Sequence, residues 1–218
     1  ATEGNASSSF NYAGGTSHEL AGLPAAERFG LGTMMQALTR QVHTRPLEQR
    51  FVGDVVLTPA AATELLGWLL DQISDGALIT DTSVYRHRAG EQAESPLLDL
   101  RSRFSAPGVV PLSGDAFSTP PLHLLRAGTL TCLTPSLYGS RRTGVPHVPT
   151  ADGWDLAAGQ TPLAEMIAAV LHGALVDRLS MGDPAPNGDF SGVIKNSFAV
   201  TNGQVGGALA ETMISGNV

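Results

Sequence analysis

Apolar side chains return every third or fourth position in three stretches of the chain. Leu31, Met34, Met35, Leu38 and Val42 do so across residues 24–42. Leu65, Leu66, Leu69 and Ile73 follow Thr58-Pro59, and Leu163, Met166, Ile167, Val170, Leu171 and Ala174 follow Thr161-Pro162. That spacing places each set on one helical face. Threonine then proline is the chemistry of a helix start, an oxygen to cap the first free N–H groups and a residue that has no N–H of its own to satisfy. The third helix is expected to end near residues 173–178. In the first, Gly30 and Gly32 each cost about 1 kcal/mol relative to alanine, so it is the weakest of the three.

Elsewhere the period shortens to two. Residues 51–57 form a valine-rich run bounded by turn residues, which predicts a strand. Between residues 76 and 134 short alternating runs, such as 77–85 and 97–104, are separated by Gly, Pro and Ser, the pattern of an antiparallel sheet. The apolar-polar alternation around Cys132 extends it. Residues 134–159 read as a long surface loop. Residues 193–200 alternate and meet Asn202-Gly203, the dipeptide of two-residue hairpin turns, so they are expected to pair with residues 205–214. Helices between blocks of strands, without regular alternation, predict an α+β fold: mostly antiparallel sheet with two or three helices packed on it, rather than a parallel βαβ architecture.

Composition narrows the function. With 218 residues and 42% apolar content the chain can fill the core of a single domain. Charged residues make up 15% and the net charge is -7, and the only adjacent basic pair is Arg141-Arg142. No basic face of the size a nucleic-acid binder needs can be assembled, which excludes nucleic acid as a direct ligand. No apolar run reaches the length of a membrane span and the opening lacks the pattern of a signal peptide, so a cytoplasmic protein without membrane attachment is expected. One cysteine, Cys132, rules out an intrachain disulfide and cysteine-cluster zinc. Residues 1–15, rich in Ser, Gly and Asn, read as a loop entered midway, so the chain is expected to be part of a longer polypeptide.

Self-contained catalytic chemistry is not visible. The six histidines (His18, His43, His87, His123, His147 and His172) lack the one-turn spacing that aims two imidazoles at one ion. There is no Gly-x-Ser-x-Gly elbow, and Gly30-Leu31-Gly32 lacks the third glycine of a phosphate loop. Asp183 and Asp189 lie in a loop interrupted by prolines, where turn and cap roles are expected over calcium binding.

The C-terminus is more specific. Residues 187–205 and the final Glu211-Thr-Met-Ile-Ser-Gly-Asn217 resemble the closing signature of the TldD/TldE (PmbA) metalloprotease family. The matching positions are Gly188, Asp189, Phe190, Ser191 and Gly192, then Asn202 and Gly203 of the turn, then Thr212, Ile214, Gly216 and Asn217. Thr201 stands where the family usually has an acid, and the acidic-Gly segment near mid-domain is reduced to Gly114-Asp-Ala-Phe117. The resemblance covers nearly the whole chain as one C-terminal domain, residues 1–218, and corresponds to the C-terminal half of such a protein.

The resemblance implies a cytoplasmic peptidase system, also called modulator of DNA gyrase, that degrades unfolded peptides and trims peptide precursors. A zinc-binding H-E-x-x-x-H subunit pairs there with one that lacks the motif. The positions matching that motif hold Thr58, Pro59 and Thr63. Two hydroxyls and a proline replace two imidazoles and a carboxylate base, which implies the TldE type. No catalytic residue, metal site or cofactor is then expected in this chain; zinc belongs to a TldD-like partner, and the chain works as that partner's subunit or as a homo-oligomer on peptide substrates. The other reading is a stand-alone binding or structural module that has left the protease context.

Overall fold

The structure, a computed structural model, describes residues 1–217 except 16, 18, 20 and 186. In chain order the elements are β1 (Thr2–Glu3), β2 (Ala6–Ser7), α1 (Ala25–Arg28), α2 (Leu31–Thr39), β3 (Asp54–Leu57), α3 (Pro59–Gln72) and α4 (Asp75–Thr80). Then come β4 (Leu100–Ser102), β5 (His123–Arg126), β6 (Thr129–Leu130), α5 (Leu137–Thr143), β7 (Trp154–Leu156) and α6 (Leu163–Ala169). The chain ends with β8 (His172–Val176), β9 (Arg178–Met181), β10 (Asp189–Lys195), β11 (Phe198–Thr201), β12 (Gln204–Ala208) and β13 (Thr212–Asn217). The fold is α+β. Two compact units divide it: Ala1–Gly15, Glu19–Leu66 and Thr161–Val218 form the first, Thr16–His18 and Gly67–Gln160 the second.

Besides the antiparallel β1-β2 pair, the first unit holds two larger sheets. One has the order β12-β11-β8-β3, antiparallel except for β3, which lies parallel to β8 with Val55 opposite Ala174 and Leu57 opposite Val176. The other is β13-β10-β9, antiparallel throughout. Their shared core is built from Ala61 of α3, Ala174 and Val176 of β8, Leu179, Ile194 and Leu209, with Leu57 and Leu65 packed against it. The second unit carries the antiparallel sheet β6-β5-β4-β7, and its fully buried residues include Ile73, Leu78, Leu100, Leu124, Leu125 and Leu130.

Several elements differ from the sequence pattern, each for a local reason. The stretch 24–42 forms two helices because Gly30 takes φ +64°, a left-handed conformation that stops one helix before the next begins. Residues 77–85 are not a strand: α4 occupies their first half, with Asp75 in its first turn, and Asp81 at φ 60° ends it. The surface loop after Thr134 contains α5 and β7. Cys132 follows β6 in irregular chain. The helix expected from Thr161-Pro162 runs only from Leu163 to Ala169, with Pro162 extended before it and no side-chain cap, because Val170 is extended and β8 fills a central place between β11 and β3. Finally, the alternation 193–200 is cut at Asn196, φ 52°, so β10 and β11 enter different sheets.

Candidate functional site

The family-signature positions of β10 and β13 come together as one ladder. Asp189 faces Asn217, Phe190 faces Gly216, Ser191 faces Ser215, Gly192 faces Ile214 and Ile194 faces Thr212. Gly188, at φ 86°, makes the turn into this pair. A Cβ on Gly216 would lie 2.9 Å from the Phe190 ring, and one on Gly192 would lie 3.0 Å from the Ser180 carbonyl oxygen, so both glycines keep the strand surfaces close. Asn217 donates Nδ2 to Asp189 Oδ1 at 2.8 Å and Asn187 donates Nδ2 to Oδ2 at 2.7 Å; these bonds hold the Asp189 carboxyl below the usual carboxylate range. Asn202 and Gly203, at φ 49° and 74°, form the turn between β11 and β12.

The second set lies at the start of α3. Thr58 follows β3 directly, and its N–H donates to the Val176 carbonyl at 2.9 Å. Its hydroxyl accepts from the Ala61 N–H at 3.5 Å and lies 3.2 Å from the Asp177 carboxylate, to which it donates. The Thr63 hydroxyl donates back to the Pro59 carbonyl at 2.8 Å. Both hydroxyls are therefore tied to their own fold. With a proline between them, that donor set does not fit zinc, whose sites are built from imidazole, thiolate and carboxylate. Among the described residues no three His, Cys, Asp or Glu side chains gather at one point.

Beside this helix start is a hollow of about 320 Å³ lined by Tyr12, Phe29, Ala60, Thr63, Glu64 and Arg178, among others. Arg178 donates Nε to Asn11 Oδ1 at 2.8 Å and a terminal nitrogen to the Tyr12 carbonyl. Its guanidinium lies 4.2 Å from the Tyr12 ring centre. Asn11 and Tyr12 carry no sequence signal for this role, because the arginine that holds them is 167 residues away.

The second unit has its own hollow, about 290 Å³, lined by Asp75, Asp115, Ser136 and His147 among others. Its carboxylates serve α5: Asp75 accepts from the Ser136 N–H at 2.8 Å and from its hydroxyl, and Asp115 accepts from the Leu137 N–H at 2.8 Å. The Gly114-Asp115 segment thus acts as a helix clasp. The other histidines are dispersed. His43 pairs with Glu3 at 2.9 Å, His123 with Asp99 at 2.6 Å and His147 with Asp115 at 3.5 Å, while the His172 ring packs at a tilt of 49° against Phe51. His87 is exposed, and His18 lies outside the described residues.

Comparison with known proteins agrees with this architecture. No curated protein matches the chain. Among solved structures, a protein described as a modulator of DNA gyrase from Bacteroides thetaiotaomicron superposes with a TM-score of 0.78 at 20% identity, covering 91% of this chain and 46% of that one. TldE from Thermococcus kodakarensis gives 0.68 at 19% identity, with coverages of 88% and 46%. A further modulator of DNA gyrase, from Thermotoga maritima, gives 0.73 at 18% identity, with coverages of 92% and 49%. These likenesses show the fold, and this chain spans about half the length of each relative. Residues 51–218 match the model of the PmbA/TldA metallopeptidase C-terminal domain, and the chain therefore belongs to the PmbA/TldD metallopeptidase family.

Proposed function

We propose that the chain is the C-terminal half of a TldE-type subunit, the non-catalytic partner of a TldD-like zinc subunit in a cytoplasmic peptidase acting on unfolded peptides or peptide precursors. The observation that carries this reading is the start of α3. Where the zinc motif of a catalytic subunit would fall, Thr58 and Thr63 spend their hydroxyls on Asp177 and on the Pro59 carbonyl. Neither can supply a metal ligand in place of an imidazole, nor can Pro59 act as a base. The signature ladder of β10 and β13 is a structural closure, with the Asp189 carboxylate engaged by two asparagines. On this reading the chain contributes surface to the assembly, and the metal with its activated water belongs to the other subunit.

Metal content and activity test this together. After dialysis the purified chain is expected to retain no stoichiometric zinc and to hydrolyse no peptide, while a mixture with an H-E-x-x-x-H subunit gains peptidase activity over that subunit alone. One tightly held zinc per chain, lost when two histidines are replaced by alanine, overturns the assignment. An inactive, non-associating mixture favours the stand-alone binding module instead.

A further inference from the structure

Residues 9–14 run past the first turns of α3 without joining a regular strand, and their contacts are those a bound peptide makes. The buried Asn196 donates Nδ2 to the Phe10 carbonyl at 3.0 Å, and Arg178 donates to the Tyr12 carbonyl. Carbonyls two residues apart point the same way in an extended chain, so this pair of donors reads backbone rather than side-chain identity. Asn11 adds a side-chain contact, donating Nδ2 to Asp177 Oδ2 at 3.2 Å while accepting from Arg178. Apolar anchoring is weak by comparison: Phe10 is 82% and Tyr12 57% exposed.

Two features show that the segment leaves the groove partly unused. The hollow of about 320 Å³ is lined by Tyr12, Ala13 and Gly14 of the segment together with Phe29, Ala60 and Thr63. Asn196 is 4% exposed, and its Oδ1 has no hydrogen-bond partner among the described residues although its amide nitrogen already serves the segment. A buried acceptor without a partner is costly, and a peptide N–H brought beside the Phe10 position would satisfy it.

We propose that Arg178, Asp177, Asn196 and the α3 face at Ala60 and Thr63 form a groove for an extended peptide, and that residues 9–14 are a displaceable strap lying in it. An incoming peptide places one carbonyl on Arg178, a second on Asn196, an amide donor on Asp177, and an apolar side chain in the hollow against Phe29. The inference stands on contacts within the first unit and not on the subunit assignment, since a chain without a zinc-bearing partner would hold the same peptide.

The test uses the full chain and a fluorescent peptide copying residues 8–15, Ser-Ser-Phe-Asn-Tyr-Ala-Gly-Gly. Binding is read by anisotropy, with circular dichroism to confirm folding. Asn11→Ala combined with Tyr12→Ala loosens the strap and leaves every groove residue in place. The double variant is expected to bind the probe at least about ten-fold more tightly than the wild-type chain, because apparent affinity scales with the fraction of molecules whose groove is open. Thr63→Arg added to it fills the hollow from an exposed position and is expected to abolish binding. Absence of binding to both wild type and double variant overturns the groove. Equal affinity for the two, or a double variant that no longer folds, overturns displacement. Unchanged binding in the Thr63→Arg variant places the peptide elsewhere and also overturns the proposal.

Discussion

Gly203 is fixed twice over, by conformation and by space. Its φ is 74°, and a Cβ there would lie 2.8 Å from the Ala168 carbonyl oxygen. Gly203→Val is expected to lower stability by about 1 kcal/mol or more, because a β-branched residue is strained at positive φ. An unshifted urea midpoint in that variant would rule this out. At Asp189 the sign of the pH effect follows from its donors. Bonds from Asn217 and Asn187 favour the ionised form and depress its folded-state pKa, so the contribution is present above the ordinary carboxylate range and is lost as pH falls through the depressed value. Asn217→Ala is expected to raise the Asp189 midpoint in an NMR titration of its carboxyl carbon. The Cys132 thiol is pushed up by burial, so it should react slowly with a disulfide reagent at pH 8 and rapidly once urea unfolds the chain. These residues differ in how legible they were. Asn202-Gly203 announces its turn by a preference for positive φ that needs no neighbour, whereas Asp177 and Arg178 acquire meaning only from Thr58, 119 residues away, and Tyr12, 166 away.

Among the elements, α3 matches its sequence pattern most closely, with its start marked by Thr58-Pro59 and its stripe by the leucines that follow. Thr58 joins three elements, since its N–H pairs with β8, its hydroxyl caps the helix and the same hydroxyl reaches Asp177 before β9. Thr58→Ala is expected to destabilise the chain by about 1 kcal/mol, the usual cost of a lost cap, while Thr58→Ser retains most of it. Comparison of the two variants by thermal unfolding checks that the hydroxyl, rather than the threonine methyl, carries the effect. Where the pattern misled, long-range pairing had overruled a local period. β8 carries the apolar spacing of a helix, yet it lies between two strands, and a Cβ on Gly173 would meet the Asp54 carbonyl oxygen at 1.9 Å. That crowding shows how tightly β3 and β8 pack, a demand that no window of residues 163–174 contains. Asn196 is the opposite case: one residue at positive φ divides an otherwise regular alternation and sends its halves to separate sheets.

At the scale of the molecule, two quantities bear on partners: the chain covers under half of the relatives it superposes on, and only 15% of its residues are charged. Several large apolar side chains of the first unit are open to solvent, among them Val52, Leu171 and Met213, the last two at 74% and 70% exposure. Single exposed apolar residues are ordinary, but their number here beside a sparse complement of charge favours association, because an interface core is depleted in charge. The TldE-type reading proposed above points the same way, since on that reading another chain supplies the metal. Sedimentation of the isolated chain at micromolar concentration is therefore expected to show a species larger than the monomer. A mixture with an H-E-x-x-x-H subunit is expected to form a distinct boundary containing both chains. Because burial of apolar surface drives such contacts, Leu171→Asp combined with Met213→Asp should weaken any association that buries either residue while leaving the melting temperature within a few degrees. A chain that stays monomeric alone and ignores the zinc-bearing subunit would sink the subunit reading and leave a self-sufficient binding module in its place.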